Sequence, residues 1–414
     1  MSAPADAPSD DELTLRLLAH LGTAMIATGQ PVHEIEQELV AVGARLGHPG
    51  IQLGAGPTSL TLALSAGAPA TFAAAQSSLR LDQASDVRRI RHQLLTGELP
   101  PDDAFAELAA LRHRPPLYPR WTVPLAWVAV AAGIALILQP GWANVTAAAA
   151  CALVVVGLLS LARRMPVLMV LLPTVAAFVV SCMVFAAAHA GLVQGPLRTV
   201  LPPLAVLLPG ALMVTGMSEL AAGHMQAGSA RLTYGTVQLG LFALGLVAAV
   251  AVLRVPPEML ANLRVDTVGW WAAPLGILAI GVGISLMESV QWRLMPWILL
   301  VLLVTFLAQT AGQLSHAGLG GFLGAITATL GAALVEARRP ELARLVVFLP
   351  SFWLLVPGSL GLVGVSQLVA DPAQALDFGL GVVVVIAAIA LGLLVGSAVA
   401  RPLADLLRRA PSLG

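Results

Sequence analysis

Lysine is absent from this chain of 414 residues, and all 22 of its basic residues are arginine. That absence excludes a phosphate-cradling P-loop, whose lysine reaches the β- and γ-phosphates. It also excludes a Schiff-base enzyme, which needs an amine nucleophile. Cysteine is scarce: Cys151 and Cys182 both fall inside apolar runs and read as small buried hydrophobes, not a disulfide framework. Charge of either sign is thin. Only 11% of residues are charged, where a soluble protein carries about a quarter. The net charge of zero gives no sign of a nucleic-acid partner. No histidines stand at metal-ligand spacing, so no metal and no cofactor is expected. G-x-S-x-G and H-E-x-x-H are both missing, so no catalytic residue is assigned. The opening MSAPADAPSDDE is acidic and lacks the apolar core of a secretory signal.

What fills the chain instead is apolar, with a mean hydropathy of +0.87. Most of it is therefore expected in lipid. The front is the exception. After a disordered start over 1–9, residues 10–114 show the periodicities of a small soluble α+β domain. Leu13, Leu17, Leu21 and Met25 recur every four residues, and Gly29 stops that helix. Pro31 suits the first turn of a second helix, whose seam is Val32, Ile35, Leu39, Val42 and Leu46. The period then drops to two, with Ile51 and Leu53, then Leu60, Leu62 and Leu64, and a short strand near 71–73. Helices near 83–96 and 103–112 follow, and the linker HRPPLYPR closes the domain, with 115–120 leading to the first span.

From Trp121 onward a span needs about 20 apolar residues. Ten fit, near 121–139, 143–162, 166–188, 199–217, 232–253, 270–287, 294–312, 317–335, 342–365 and 376–400. With the soluble domain inside, the inner segments hold Arg112, Arg114, Arg120, Arg163, Arg164, Arg231, Arg293, Arg338, Arg339, Arg344, Arg401, Arg408 and Arg409. The outer loops hold only Arg198, Arg254 and Arg264, so both termini are expected in the cytoplasm.

Within these spans a frame recurs. LLPGALMVTGMSEL (207–220) and LVPGSLGLVGVSQL (355–368) share P-G-x-L-x-x-x-G-x-S-x-L at an offset of 148 residues. That offset carries 121–253 onto the sixth to tenth spans. The membrane part then divides into a repeat over 121–253, an outer loop over 254–269, a repeat over 270–400 and a tail over 401–414. Five spans is an odd number, so the repeats must lie inverted, an architecture of secondary transporters with a midplane site.

A proline inside a helix costs about 3 kcal/mol, and in lipid the freed carbonyl finds no bulk water. Pro209-Gly210 and Pro357-Gly358 are therefore expected to be paired helix breaks facing one site, where a restarted half-helix offers free N–H groups to an anion. Thr215, Ser218, Ser359, Ser366 and Gln367 accompany them as candidate substrate-binding residues. Glu219 is the first candidate for proton coupling or for an ammonium group, and Glu288 the second. The alternative for both is a carboxylate at the headgroup level. Gln309, Thr310 and Gln313 are candidate path-lining residues, with a water-exposed loop as the alternative. Gly320-x-x-x-Gly324 and Gly392-x-x-x-Gly396 read as helix-packing notches.

The residues also carry a resemblance. GQPVHEIEQELVAVGARLG (29–47), PTSLTLAL (57–64) and LPPDDAFAELAAL (99–111) resemble the soluble domain of the bacterial threonine/serine exporter family. LLPGALMVTGMSELAAG (207–223) and LVPGSLGLVGV (355–365) resemble its membrane region. The resemblance implies an α-helical polytopic protein of the inner membrane that exports small hydroxy amino acids on the proton motive force. Its partners would then be the substrate, protons and the bilayer, with homo-oligomerisation left open. Split relatives are associated with dicarboxylate export, so that substrate class stays open. A membrane-anchored enzyme acting through the front domain is a further alternative. By the resemblance, position 219 is commonly acidic, and Thr58, Ser59 and Thr61 belong to a family-like stretch whose alternative is an ordinary strand edge.

Overall fold

The computed structural model describes residues 10–76, 78–338, 344–355 and 375–409. The front of the chain forms a lobe. Helix α1 (Asp10–Ala27) buries Leu17, Leu21 and Met25, which its four-residue spacing sets on one face. Helix α2 (Val32–Arg45) buries Ile35, Leu39 and Val42 against it. Strands β1 (Gln52–Ala55), β2 (Ser59–Ala63) and β3 (Thr71–Ala74) make an antiparallel sheet in the order β1-β2-β3. Leu60 and Leu62 of the middle strand point into the core while Thr61 faces out, as a period of two requires. Helices α3 (Leu81–Thr96) and α4 (Pro101–Leu111) close the lobe with Ile90, Leu94, Leu108 and Leu111.

Helices α5 (Thr122–Leu138), α6 (Trp142–Ala162), α7 (Pro166–His189), α8 (Pro196–Leu204), α9 (Gly210–Ala221) and α10 (Met225–Leu253) follow. Then come α11 (Ala272–Met287), α12 (Met295–Gln313), α13 (Ala317–Arg338), α14 (Arg344–Leu355) and α15 (Ala375–Arg409). Among the described residues seven helices are long and apolar enough to cross a membrane. An eighth crossing is made if the pair 196–207 and 210–221 counts as one span; it is bent by 67°. Thr122–Leu138 and Val346–Leu355 are apolar but shorter. Trp121, Trp142, Trp270, Trp271 and Trp292 stand exposed at helix ends, where indole rings favour the membrane–water boundary.

Close backbone contacts set how these helices run. A side chain at Gly133 of α5 would strike the carbonyl of Gly276 in α11. One at Gly283 would strike Ala126 and Val130. The register falls on one helix as it rises on the other, so α5 and α11 are antiparallel. Gly245 of α10 lies against the Thr174 carbonyl and Ala177 of α7. Gly392 of α15 lies against the Phe322 carbonyl and Ala325 of α13. Phe322 and Ala325 stand 148 residues after Thr174 and Ala177. Gly320 and Gly324 receive the backbone and side chain of Gln309, and Gly396 receives Thr329, so both glycine pairs sit in helix–helix contacts.

Candidate functional site

The break at Pro209 is the starting point. Pro202 and Pro203 lie inside α8, a short 3₁₀ turn (Ala205–Leu207) follows, and α9 restarts at Gly210. Proline removes the donors that would carry the helix through. One face of α9, with Ala211, Thr215 and Ser218, then lines a cavity of about 470 Å³. Its roof is the lobe, through the α1–α2 turn and α3. Its floor and sides are α9, α13, α14 and α15.

The lining carries both signs of charge. Glu34 and Glu38 stand one turn apart on α2, Arg88 and Arg91 on α3, Glu336 at the end of α13 and Arg344 at the start of α14. Arg91 Nη1 lies 2.8 Å from Glu38 Oε1, and Arg88 pairs with Glu336 across the lobe–membrane boundary. Burial pushes the Glu38 carboxyl up from its ordinary value, against the lowering pull of Arg91.

Two carboxylates of the membrane part fasten the lobe over this cavity, and each does so at a helix N-terminus. Gly29 turns the chain with φ +80°, and Pro31 then precedes α2 without any side chain to cap it. The first N–H groups of a helix need an acceptor. Here Val32 N–H donates to Glu219 Oε1 at 3.0 Å, from 187 residues away. Glu219 is 0% exposed and its Oε2 lies 3.1 Å from Nε of Arg231, itself only 7% exposed. Gly216 and Gly228 make this possible, because a side chain on either would strike the carbonyl of the other. Their contact draws the α9–α10 hairpin tight and sets Arg231 beside Glu219. Around the joint, His224 Nδ1 is 3.7 Å from Glu36 Oε2, and its ring lies 5.9 Å from that of His33.

The second joint is at the C-terminal end of α11. Leu81 N–H, the first of α3, donates to Glu288 Oε2 at 3.3 Å. Burial raises the Glu288 carboxyl above its ordinary value, and the Leu81 N–H offsets this only in part. Arg80 is engaged with Asp82 at 2.9 Å. The linker is pinned beside it: Leu117 N–H donates to Ser289 Oγ at 3.3 Å and Tyr118 O–H to the Val290 carbonyl at 2.7 Å.

Of the residues singled out in the sequence, Pro209 and Gly210 mark the bend, and Thr215 and Ser218 face the cavity. Glu219, fully buried, and Glu288, half-buried, both bond to the lobe. Gln309 is half-buried against Gly320 and Gly324, while Thr310 and Gln313 are exposed; none of the three lines this cavity. Thr58 and Thr61 are exposed, and Ser59 opens the middle strand, where its carbonyl accepts from Gly56 N–H. Pro357, Gly358, Ser359, Ser366 and Gln367 lie outside the described residues. Glu34, Glu38, Arg88, Arg91 and Glu336 escaped the sequence reading, which followed apolar seams. Arg231 and Arg344 were counted there only as markers of orientation. The one available signal was an acid at 219 and a base at 231 flanking a tight turn at Gly223.

Residues 16–253 match the model of a family described as "Putative threonine/serine exporter", and the chain belongs to that family. No curated protein and no solved structure matches the chain.

Proposed function

We propose that this member of the threonine/serine exporter family is a secondary exporter of small hydroxy amino acids, driven by the proton motive force across the bacterial inner membrane. It is read as a transporter and not as an enzyme. The observation that carries the reading is the roofed cavity of both charge signs beside the bent span. A lobe that covers a cavity with charged groups of both signs at the end of a helix bundle fits the entrance of an outward path. The N-terminal turn of α9 opens on that cavity at Ala211, where peptide dipoles favour a carboxylate.

Ten spans in two inverted fives remain our reading of the membrane part. The antiparallel α5 and α11, which open the two repeats, support it. So does the glycine notch of α10 on α7, which recurs between α15 and α13 at nearly the sequence offset. Ser181 and Thr329, also 148 residues apart, are both fully buried. Two breaks facing one site, with both termini inside, complete the picture.

Sealed inverted vesicles holding the full chain test the reading. Labelled threonine or serine should accumulate on energisation and leak away with an uncoupler. Vesicles that concentrate neither amino acid under a verified proton gradient would refute it.

A further inference from the structure

The cavity holds three glutamates and three arginines, and their pairing is uneven. Glu38 is taken by Arg91 and Glu336 by Arg88. Glu34 and Arg344 are left. The Glu34 carboxylate meets only the Gln30 amide, at 3.5 Å, and Arg344 enters no ion pair among the described residues. Among the described residues, one acid and one base thus line the same cavity without an ion-pair partner, the acid on the lobe and the base on the membrane part.

We propose that Glu34 and Arg344 are the recognition pair of this cavity, binding the ammonium and the carboxylate of one α-amino acid so that the ligand bridges lobe and membrane part. A guanidinium matches a carboxylate with two parallel N–H donors. An ammonium needs acceptors, which Glu34 supplies. Thr215 and Ser218 line the same space. The Ser218 hydroxyl donates to the Thr215 carbonyl, which leaves its lone pairs for a ligand hydroxyl. The volume sits within the roughly 300–1,000 Å³ usual for small-molecule sites. A dicarboxylate fits less well, because Arg88 and Arg91 are already paired with glutamates and its second anionic end would meet Glu34. The inference rests on the exporter reading but adds the residues and the ligand charge they select.

Equilibrium binding to the purified full chain tests it, with three probes: threonine, 3-hydroxybutanoate, which lacks the amine, and 1-aminopropan-2-ol, which lacks the carboxylate. The unaltered chain should bind threonine at least 10-fold more tightly than either fragment. Glu34→Gln should weaken threonine binding at least 10-fold and erase its preference over 3-hydroxybutanoate. Arg344→Gln should do the same against 1-aminopropan-2-ol. Each variant should leave the affinity of the fragment that lacks its partner group within 2-fold. Unchanged threonine affinity in both variants overturns the proposal, and so does an equal loss for all three probes, which marks a merely structural role. Threonine export by vesicles without any binding sensitive to Glu34 or Arg344 sinks this site and leaves the exporter reading standing. Absence of both export and binding sinks both.

Discussion

The two joints between lobe and membrane part make the same contact with different energetics. At each, a carboxylate from a membrane helix accepts the first N–H of a lobe helix, where an anion also meets the positive end of the helix dipole. Glu219 shares its burial with an arginine, so two charges are removed from water together. Glu288 is half-buried and enters no ion pair among the described residues; Arg80 draws its carboxyl down but is itself paired with Asp82. A paired buried charge is costly to break, and a lone buried carboxyl is costly to keep ionised. The Glu219 joint is therefore expected to be the rigid one, and the raised Glu288 carboxyl predicts a pH response at the other. The linker crosses beside Glu288, so the lobe is tethered next to this joint.

Breaking the rigid joint should have the largest effect. Arg231→Met strands the Glu219 carboxylate in the interior and should destabilise the protein by about 3–5 kcal/mol. Thermal unfolding in detergent would measure it, and adding Glu219→Gln to Arg231→Met should recover part of the loss. If Arg231→Met unfolds like the unaltered chain, the pair is not the rigid joint.

Glu219→Gln alone keeps an acceptor for Val32 but leaves Arg231 without its counter-charge. The expected cost is about 2–3 kcal/mol, with faster amide exchange at Val32. No change in exchange at Val32 would show that the carboxylate does not hold α2.

Glu288→Gln sharpens the comparison through pH. Burial raises the Glu288 carboxyl in the docked state, so that state holds the proton more tightly than the undocked one. Docking is then strongest at low pH and weakens as pH rises from the ordinary carboxylate range through the raised value. The protection factor of the Leu81 amide should fall over that rise in the unaltered chain. Glu288→Gln should flatten the fall, at a cost near 1 kcal/mol in overall stability. A pH profile that survives Glu288→Gln would assign the response to another group.

The smallest effect is expected at the tether. Tyr118→Phe removes one hydrogen bond to the Val290 carbonyl. About 0.5–1.5 kcal/mol should be lost, read as a small drop in melting temperature with no pH dependence.

Much of this architecture was legible in the residues, because hydrophobic period is local. The four-residue recurrence of Leu17, Leu21 and Met25 and the alternation through Leu60 and Leu62 mark the faces that are buried. Within the described residues the apolar runs coincide with helices, and Pro209-Gly210 marks a bend. Glu219 was visible as an oddity, a carboxylate closing an apolar segment. Its role was not, since its partners are an arginine on the next helix and a backbone N–H that belongs to another part of the chain. Glu34 and Arg344 carried no local sign at all.

The sequence alone determined which segments prefer lipid, which face of each lobe helix is apolar and where proline must interrupt a helix. Those follow from solvation and backbone sterics, which act over a few residues. Tertiary structure alone decided which charges meet. Val32 and Glu219, Leu81 and Glu288, and the six charged groups of the cavity come from segments scores to hundreds of residues apart. Their energetics depend on burial and distance, and neither exists until the lobe is folded against the membrane part.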